Sequence, residues 1–166
     1  GAAFVRVNVL SGAMVTDQGL IESRAAELLR LRRLLEAQHV LVLADVLVKH
    51  AYPLASQPIA EAVEDTLQRS GADGVIVSGV ATGAAPNLED LQQARRGAQA
   101  APVLIGSGCD AANAARLAPH ADGVIVASSL KRDGLLANPV DPERVRQLQQ
   151  TLEQCQTPNK RNPLLQ

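Results

Sequence analysis

Three polar side chains interrupt an otherwise aliphatic run: Leu41-Val42-Leu43-Ala44-Asp45-Val46-Leu47-Val48-Lys49-His50. A polar group inside a buried strand is costly unless something pairs with it, so Asp45 and Lys49 need a reason to be there. Alternation along a strand gives Leu43, Asp45, Leu47 and Lys49 one parity, which turns the carboxylate and the amine toward one cavity. A carboxylate beside an amine suits proton transfer, and a desolvated lysine forms a Schiff base with a carbonyl substrate. The plainer alternative is a salt bridge at a strand end. His50, at the loop, is a weaker candidate.

The run Phe4 to Leu10 offers a second pair. Val5, Val7 and Val9 share one parity, leaving Arg6 and Asn8 on the opposite face. Arg6 either pairs with a buried carboxylate to fill the interior or serves the site; Asn8, nearer the strand end, is the stronger functional candidate. Two later runs end in phosphate-loop ingredients. Val103-Leu104-Ile105 leads into Gly106-Ser107-Gly108, and Val124-Ile125-Val126 leads into Ala127-Ser128-Ser129. Glycines let backbone N–H groups approach an anion and hydroxyls add donors, so Gly106, Ser107, Gly108, Ser128 and Ser129 are expected to bind phosphate; tight turns are the alternative. Gly106, Gly108 and Ala111 also fit a dinucleotide fingerprint, but no acidic residue ends the following strand to take the ribose hydroxyls. Thr82 and Gly83 fall in a Gly- and Ala-rich loop over the same face. His39 and His120 adjoin helix ends, no His or Cys spacing has the form of a metal site, and no cofactor is expected.

These residues must be carried by short β-branched strands at Phe4 to Leu10, Val40 to Val48, Gly74 to Ser78, Val103 to Ile105 and Gly123 to Ala127,. Amphipathic helices separate them. Ile21, Ala25, Leu28, Leu31 and Leu35 form one stripe, with Arg24, Arg32 and Arg33 largely off it,. A second helix starts near Pro58 and stops at Gly71. A third is capped by Asn87, with Glu89 and Asp90 in its first turn and Arg95 and Arg96 in its last, and ends at Gly97. Asp110 starts a fourth, and Asp141-Pro142 a fifth whose Val145, Leu148 and Leu152 face inward. The hexapeptide Ala72-Asp73-Gly74-Val75-Ile76-Val77 recurs letter for letter as Ala121 to Val126, 49 residues later. Two-unit repetition in an alternating βα chain favours a (β/α)8 barrel over an open doubly wound sheet. Five units in 166 residues correspond to the C-terminal five β-α units of such a TIM barrel, with parallel strands in chain order and the first three units absent,. Residues 1–155 form this partial barrel, and 156–166, with two prolines, read as a flexible tail. Unpaired edges at Phe4 and Gly123 would favour homo-oligomers or poor solubility.

Composition excludes several classes. Sixteen Lys and Arg against seventeen Asp and Glu give a net charge of -1, which argues against a nucleic-acid partner,. One Phe, one Tyr and no Trp leave no stacking platform for bases,. The longest uncharged stretch, Gly74 to Leu88, is too short and too rich in Gly to span a membrane,. Two cysteines and no leader ahead of the first strand suggest the reducing cytoplasm,.

In order along the chain, Asn8-Val9-Leu10-Ser11-Gly12-Ala13-Met14-Val15-Thr16-Asp17-Gln18-Gly19, Asp45 to His50, Ser78-Gly79-Val80-Ala81-Thr82-Gly83, Gly106-Ser107-Gly108 and Ser128-Ser129-Leu130-Lys131-Arg132-Asp133-Gly134 closely resemble the BtpA/SgcQ family, from Gly1 to about Leu148. The resemblance implies a (β/α)8 barrel related to phosphate-binding barrels. The family takes its name from a cyanobacterial photosystem I biogenesis factor, an extrinsic thylakoid protein, so a role in photosystem I biogenesis or stabilisation, photosystem I components as partners and a thylakoid-surface location follow from it as expectations. What the residues themselves imply is an isomerase or lyase acting on a small phosphorylated sugar or nucleotide-related metabolite. Cys109 departs from the aliphatic residue or Thr expected at its place.

Overall fold

The computed structural model describes residues 1–47, 51–79 and 84–155. Five strands, β1 (Phe4–Val7), β4 (Leu41–Leu47), β6 (Gly74–Val77), β7 (Val103–Ile105) and β8 (Gly123–Val124), form one parallel sheet in that order. Their order is the chain order, with a helix between each consecutive pair, as the barrel reading requires. Among the described residues β1 pairs only with β4, and β8 only with β7.

Alternation sorts the side chains into two layers. Leu43, Ile76 and Leu104, with Ile125 against them, form the interior face. Val75, Val77, Val103 and Ile105 have the other parity and pack with Leu91, Ala94 and Leu117 beneath the helices. Val7, Val42 and Ala44 likewise meet Leu28 of α1 (Ala25–Leu34). With so few aromatics, the core is built from branched aliphatics, whose stiff side chains suit strands buried on both faces.

The repeated hexapeptide has a mechanical explanation. Asp73 Oδ2 accepts the Val42 N–H at 2.8 Å and pairs with Arg32 at 3.1 Å, while the Asp73 N–H donates to Val42 O. Asp122 Oδ2 accepts the Val103 N–H at 2.9 Å and pairs with Arg95, and its N–H donates to Val103 O. Each aspartate therefore clasps the start of the neighbouring strand to the last turn of the helix that leads into that strand. The repeat belongs to the amino-terminal end of the sheet, the end that holds a barrel together rather than the one that reacts.

Helix α2 (Ile59–Glu64) runs on as one π-helical stretch to Arg69 and ends beside Gly71, whose φ of +71° suits glycine,. Helix α3 (Leu88–Ala98) begins as expected at Asn87, whose Oδ1 accepts the Asp90 N–H at 2.7 Å. It does not end at Gly97. That residue is inside the helix, where a Cβ would overlap the Ala60 carbonyl, so its glycine serves the close crossing of α2 and α3. Helix α4 is short (Ala114–Leu117), behind an Asp110 side chain that accepts the Ala112 and Asn113 N–H groups. Helix α5 (Pro142–Cys155) starts with Asp141 Oδ1 accepting the Glu143 N–H and buries Leu148.

Two expectations are corrected. Strands β2 (Ala13–Thr16), β3 (Gly19–Glu22) and β5 (Ala51–Pro53) form a small antiparallel sheet ordered β3-β2-β5. Ile21 thus lies in a strand, not on the first helical stripe. The stripe itself is only half used: Ala25 and Leu28 pack inward, but Leu31, Leu34 and Leu35 are exposed. The residues of the expected tail, 156–166, lie outside those described.

Candidate functional site

Arg6 and Asp45 meet on the interior face. Arg6 Nε donates to Asp45 Oδ2 at 2.8 Å and Nη2 to Oδ1 at 2.7 Å, a two-pronged pair across adjacent strands,. The Asp45 side chain is 4% exposed and that of Arg6 35%. The hydrogen bond to Asp45 raises the Arg6 guanidinium above its ordinary value; burial works against this and the charge of Asp45 adds to it. Of the two readings of Arg6, pairing with a buried carboxylate is the observed one.

Strand register shifts just beyond Asp45. Asp45 lies opposite Ile76 and Leu47 opposite Val77, so one extra residue enters β4 between them. A bulge of this kind interrupts alternation and re-aims the side chains beyond it, as commonly occurs beside active sites. Lys49 and His50 lie outside the described residues. Asn8 is exposed and comes directly after the last residue of β1, at the carboxyl end of the strand, as expected.

The loops after β6, β7 and β8 lock together. Ala84 and Ala85 run so close to Gly108 and Gly79 that a Cβ on either glycine would overlap their backbone, and Gly108 has a φ of +69°. Ser107 Oγ donates to Ala84 O at 3.1 Å, and Ser129 Oγ donates to Cys109 O at 2.9 Å, tying the third of these loops to the second. Asn113 Nδ2 holds Gly108 O, and Arg144 Nη1 holds Ser129 O. Ser128–Leu130 forms one 3-10 turn. The two serine hydroxyls therefore position the loops, and donors for an anion would come from backbone N–H groups. The Gly106 N–H is spent on Val77 O. Thr82 and Gly83 lie outside the described residues.

Two features were not anticipated. Ser78, the residue after β6, is 2% exposed, and its buried hydroxyl has no hydrogen-bond partner among the described residues; its polarity after an aliphatic run was the available signal. A cavity of about 530 Å³ opens beside Asp45 and Val46, walled by Met14 and Leu54 of the small-sheet region and by Ile59 and Thr66 of the second helix. It depends on β2 and β5, which the sequence reading missed. Among the described residues no group of three or more His, Cys, Asp or Glu side chains is arranged to hold a metal ion, and no helix is long and apolar enough to cross a membrane.

A model of the BtpA family matches residues 1–154. The chain is 58% identical over 145 residues to "Photosystem I biogenesis protein BtpA" of Synechocystis sp., covering 87% of this chain and 50% of that protein. It is 45% identical to an uncharacterized protein of Pyrococcus furiosus, covering 88% and 54%. An uncharacterized mitochondrial protein of Caenorhabditis elegans is 36% identical, with 87% and 52% covered. The chain spans about half the length of these relatives. In fold it resembles N-(5'-phosphoribosyl)anthranilate isomerase from Pyrococcus furiosus, with a TM-score of 0.55, 18% identity and coverage of 93% and 64%. It also resembles a Schiff base forming fructose-1,6-bisphosphate aldolase, with a TM-score of 0.53, 13% identity and coverage of 93% and 58%.

Proposed function

The chain belongs to the BtpA family, and on that premise we propose that it is the C-terminal five-unit part of a (β/α)8 barrel, spanning residues 1–155, that holds a small phosphorylated ligand at the carboxyl ends of its strands. The observation that carries this reading is the interlocked loop set after β6, β7 and β8, in which the Ser107 and Ser129 hydroxyls spend their protons on neighbouring carbonyls; the donors proposed for the anion are the backbone N–H groups of Ser107, Gly108, Ser128 and Ser129. Loops of this position bind phosphate in many barrels. The reaction class is isomerisation or lysis of a phosphorylated sugar or nucleotide-related metabolite. Asn8 orients the substrate and Lys49 supplies the amine. Asp45, whose oxygens are both held by Arg6, serves as base only where that pair is exchanged for a substrate contact,. Titration of the isotope-labelled whole protein with inorganic phosphate tests the site. Shifts confined to the Ser107, Gly108, Ser128 and Ser129 amides are expected, and saturating phosphate with none of them removes the proposal. Borohydride trapping with carbonyl substrates, followed by peptide mapping, tests Lys49.

The second reading is a part in photosystem I biogenesis, extrinsic on the thylakoid surface. It is favoured by the name of the Synechocystis relative at 58% identity. Relatives in Pyrococcus furiosus and Caenorhabditis elegans, which build no photosystem, weigh against photosystem I biogenesis as a role common to the whole family. Deleting the gene in a photosynthetic host and measuring photosystem I content separates the two: normal content ends the biogenesis reading.

A further inference from the structure

The cavity of about 530 Å³ beside Asp45 and Val46 is separate from the loops after β6, β7 and β8: among the described residues, none beyond Arg69 lines it. A space of that size suits a small molecule. Met14, Val46, Leu54, Ile59 and Ala62 give it a mainly apolar wall. The Thr66 hydroxyl, on the same wall, is already spent on Ala62 O at 2.7 Å and brings no unmet donor. Of the charged residues in the described wall, Asp45 has both oxygens held by Arg6, which leaves Asp65 and Arg69. The second helix meets the cavity with Ile59, Ala62, Thr66 and Arg69, one stripe at most about 15 Å long,.

Arg69 also lines a second, open hollow of about 520 Å³, together with Arg24, Glu27 and Arg30. Charge is unbalanced where the two spaces share it. Three arginines stand against Glu27 and Asp65. The Arg24–Glu27 and Arg69–Asp65 pairs are both long, at 3.4 Å, with arginine side chains 79% and 81% exposed, and Arg30 enters no ion pair among the described residues. Exposed pairs of this kind contribute little and exchange readily for a ligand. The shared place is also where the second helix turns π-helical, over Asp65–Arg69, with the Ser70 N–H donating to Asp65 O five residues back. Such turns are rare and frequently mark functional sites.

We infer that the cavity and the hollow together form a site for an anionic amphiphile. Its aliphatic chain lies against Met14, Val46, Leu54, Ile59 and Ala62, and its head, a carboxylate or a phosphate ester, is taken by Arg69 and Arg30. The excess of arginine selects the sign of the head, and the length of the stripe selects a chain of medium length. This site does not rest on the phosphorylated-ligand reading, and neither fails with the other.

The test is calorimetric titration of the whole protein with decanoate, decyl phosphate, decanol and acetate, each below the concentration at which it forms micelles. One of the two chain-bearing anions is expected to bind one-to-one, with decanol several-fold weaker and acetate undetected; the tighter anion identifies the head. Ala62→Leu, which fills the groove, is expected to abolish binding. Arg69→Ala, a change at an exposed side chain, is expected to weaken the anions about 5-fold and leave decanol unchanged,. In the isotope-labelled protein, bound decanoate should shift the Met14, Ile59 and Thr66 amides and leave those of Ser107, Gly108, Ser128 and Ser129 in place, a readout that decides the matter if Ala62→Leu fails to fold. Absence of binding by both anions overturns the site. So does decanol binding as tightly as they do, anion affinity untouched by Arg69→Ala or retained in a folded Ala62→Leu, or decanoate shifts confined to the loops after β7 and β8.

Discussion

Replacing Asp45 by Asn separates structure from chemistry at the centre of the site. The change keeps the shape but removes the charge, and it sets an amide NH2 against one of the two guanidinium N–H groups that now donate at 2.8 and 2.7 Å. Breaking a fully buried ion pair from one side costs about 3–5 kcal/mol. Arg6 is 35% exposed, so water recovers part of its solvation, and one hydrogen bond to the Asn oxygen survives. A loss of about 2 kcal/mol is the result, or roughly 4–8 °C in melting temperature for a domain of this class. The double change Arg6→Met with Asp45→Leu removes both charges and is expected to return to within about 1 kcal/mol of wild type. Thermal and urea unfolding of the whole protein, monitored by circular dichroism, provides the comparison. Were Asp45→Asn to melt within a degree of wild type, or the double variant to melt as low as the single, the pair would not be the structural tie deduced from its geometry.

Gly97→Ala forces a methyl to 3.0 Å from the Ala60 Cα and carbonyl carbon, so α2 and α3 must separate; about 1–2 kcal/mol should be lost, read as a lower urea midpoint at unchanged slope,. Among the clasps, Asp122→Ala should cost about 2–3 kcal/mol and Asp73→Ala less, because their side chains are 14% and 32% exposed,; faster exchange of the Val103 amide in the first variant and of the Val42 amide in the second checks the assignment. Burial, with the nearby Asp110 charge second, pushes the Cys109 thiol up. The folded state then holds that proton more tightly than the unfolded chain does, so the stability it contributes is intact below the ordinary thiol value of 9.0 and falls as the pH rises beyond it,. Melts from pH 7 to 10.5 should show this loss in wild type and not in Cys109→Ala, and iodoacetamide should label Cys155 before Cys109.

The parallel strands and their order were legible because each is a short aliphatic run between helices with recognisable caps, such as Asn87 and Asp141. The exact hexapeptide repeat pointed to the right architecture, although the force behind it, an aspartate bridging an arginine and a backbone N–H, is invisible until the chain is folded. The small sheet was missed because Met14-Val15-Thr16 pairs on one side with the nearby Leu20-Ile21-Glu22 and on the other with Ala51 to Pro53, some 35 residues on. Parity located Arg6 and Asp45 on one face but could not register the extra residue after Asp45. Ser78 was passed over because a serine after a strand looks like a turn former; what distinguishes it is burial without a partner.

The two aspartate clasps give two of the four adjacent strand pairs, β4 with β6 and β7 with β8, a key that does not depend on the ring being closed. Register in a barrel is usually discussed as a property of the whole circuit, since the last strand must meet the first in step. Here alignment is written locally, at Asp73 for β4 and β6 and at Asp122 for β7 and β8. A chain keyed in this way can be assembled by adding units one after another, and an arc of it keeps its strands in step while the circuit is still open. Duplication of such keyed units would extend a sheet without needing to re-solve its alignment, and identical hexapeptides at equivalent places are the trace such a history would leave.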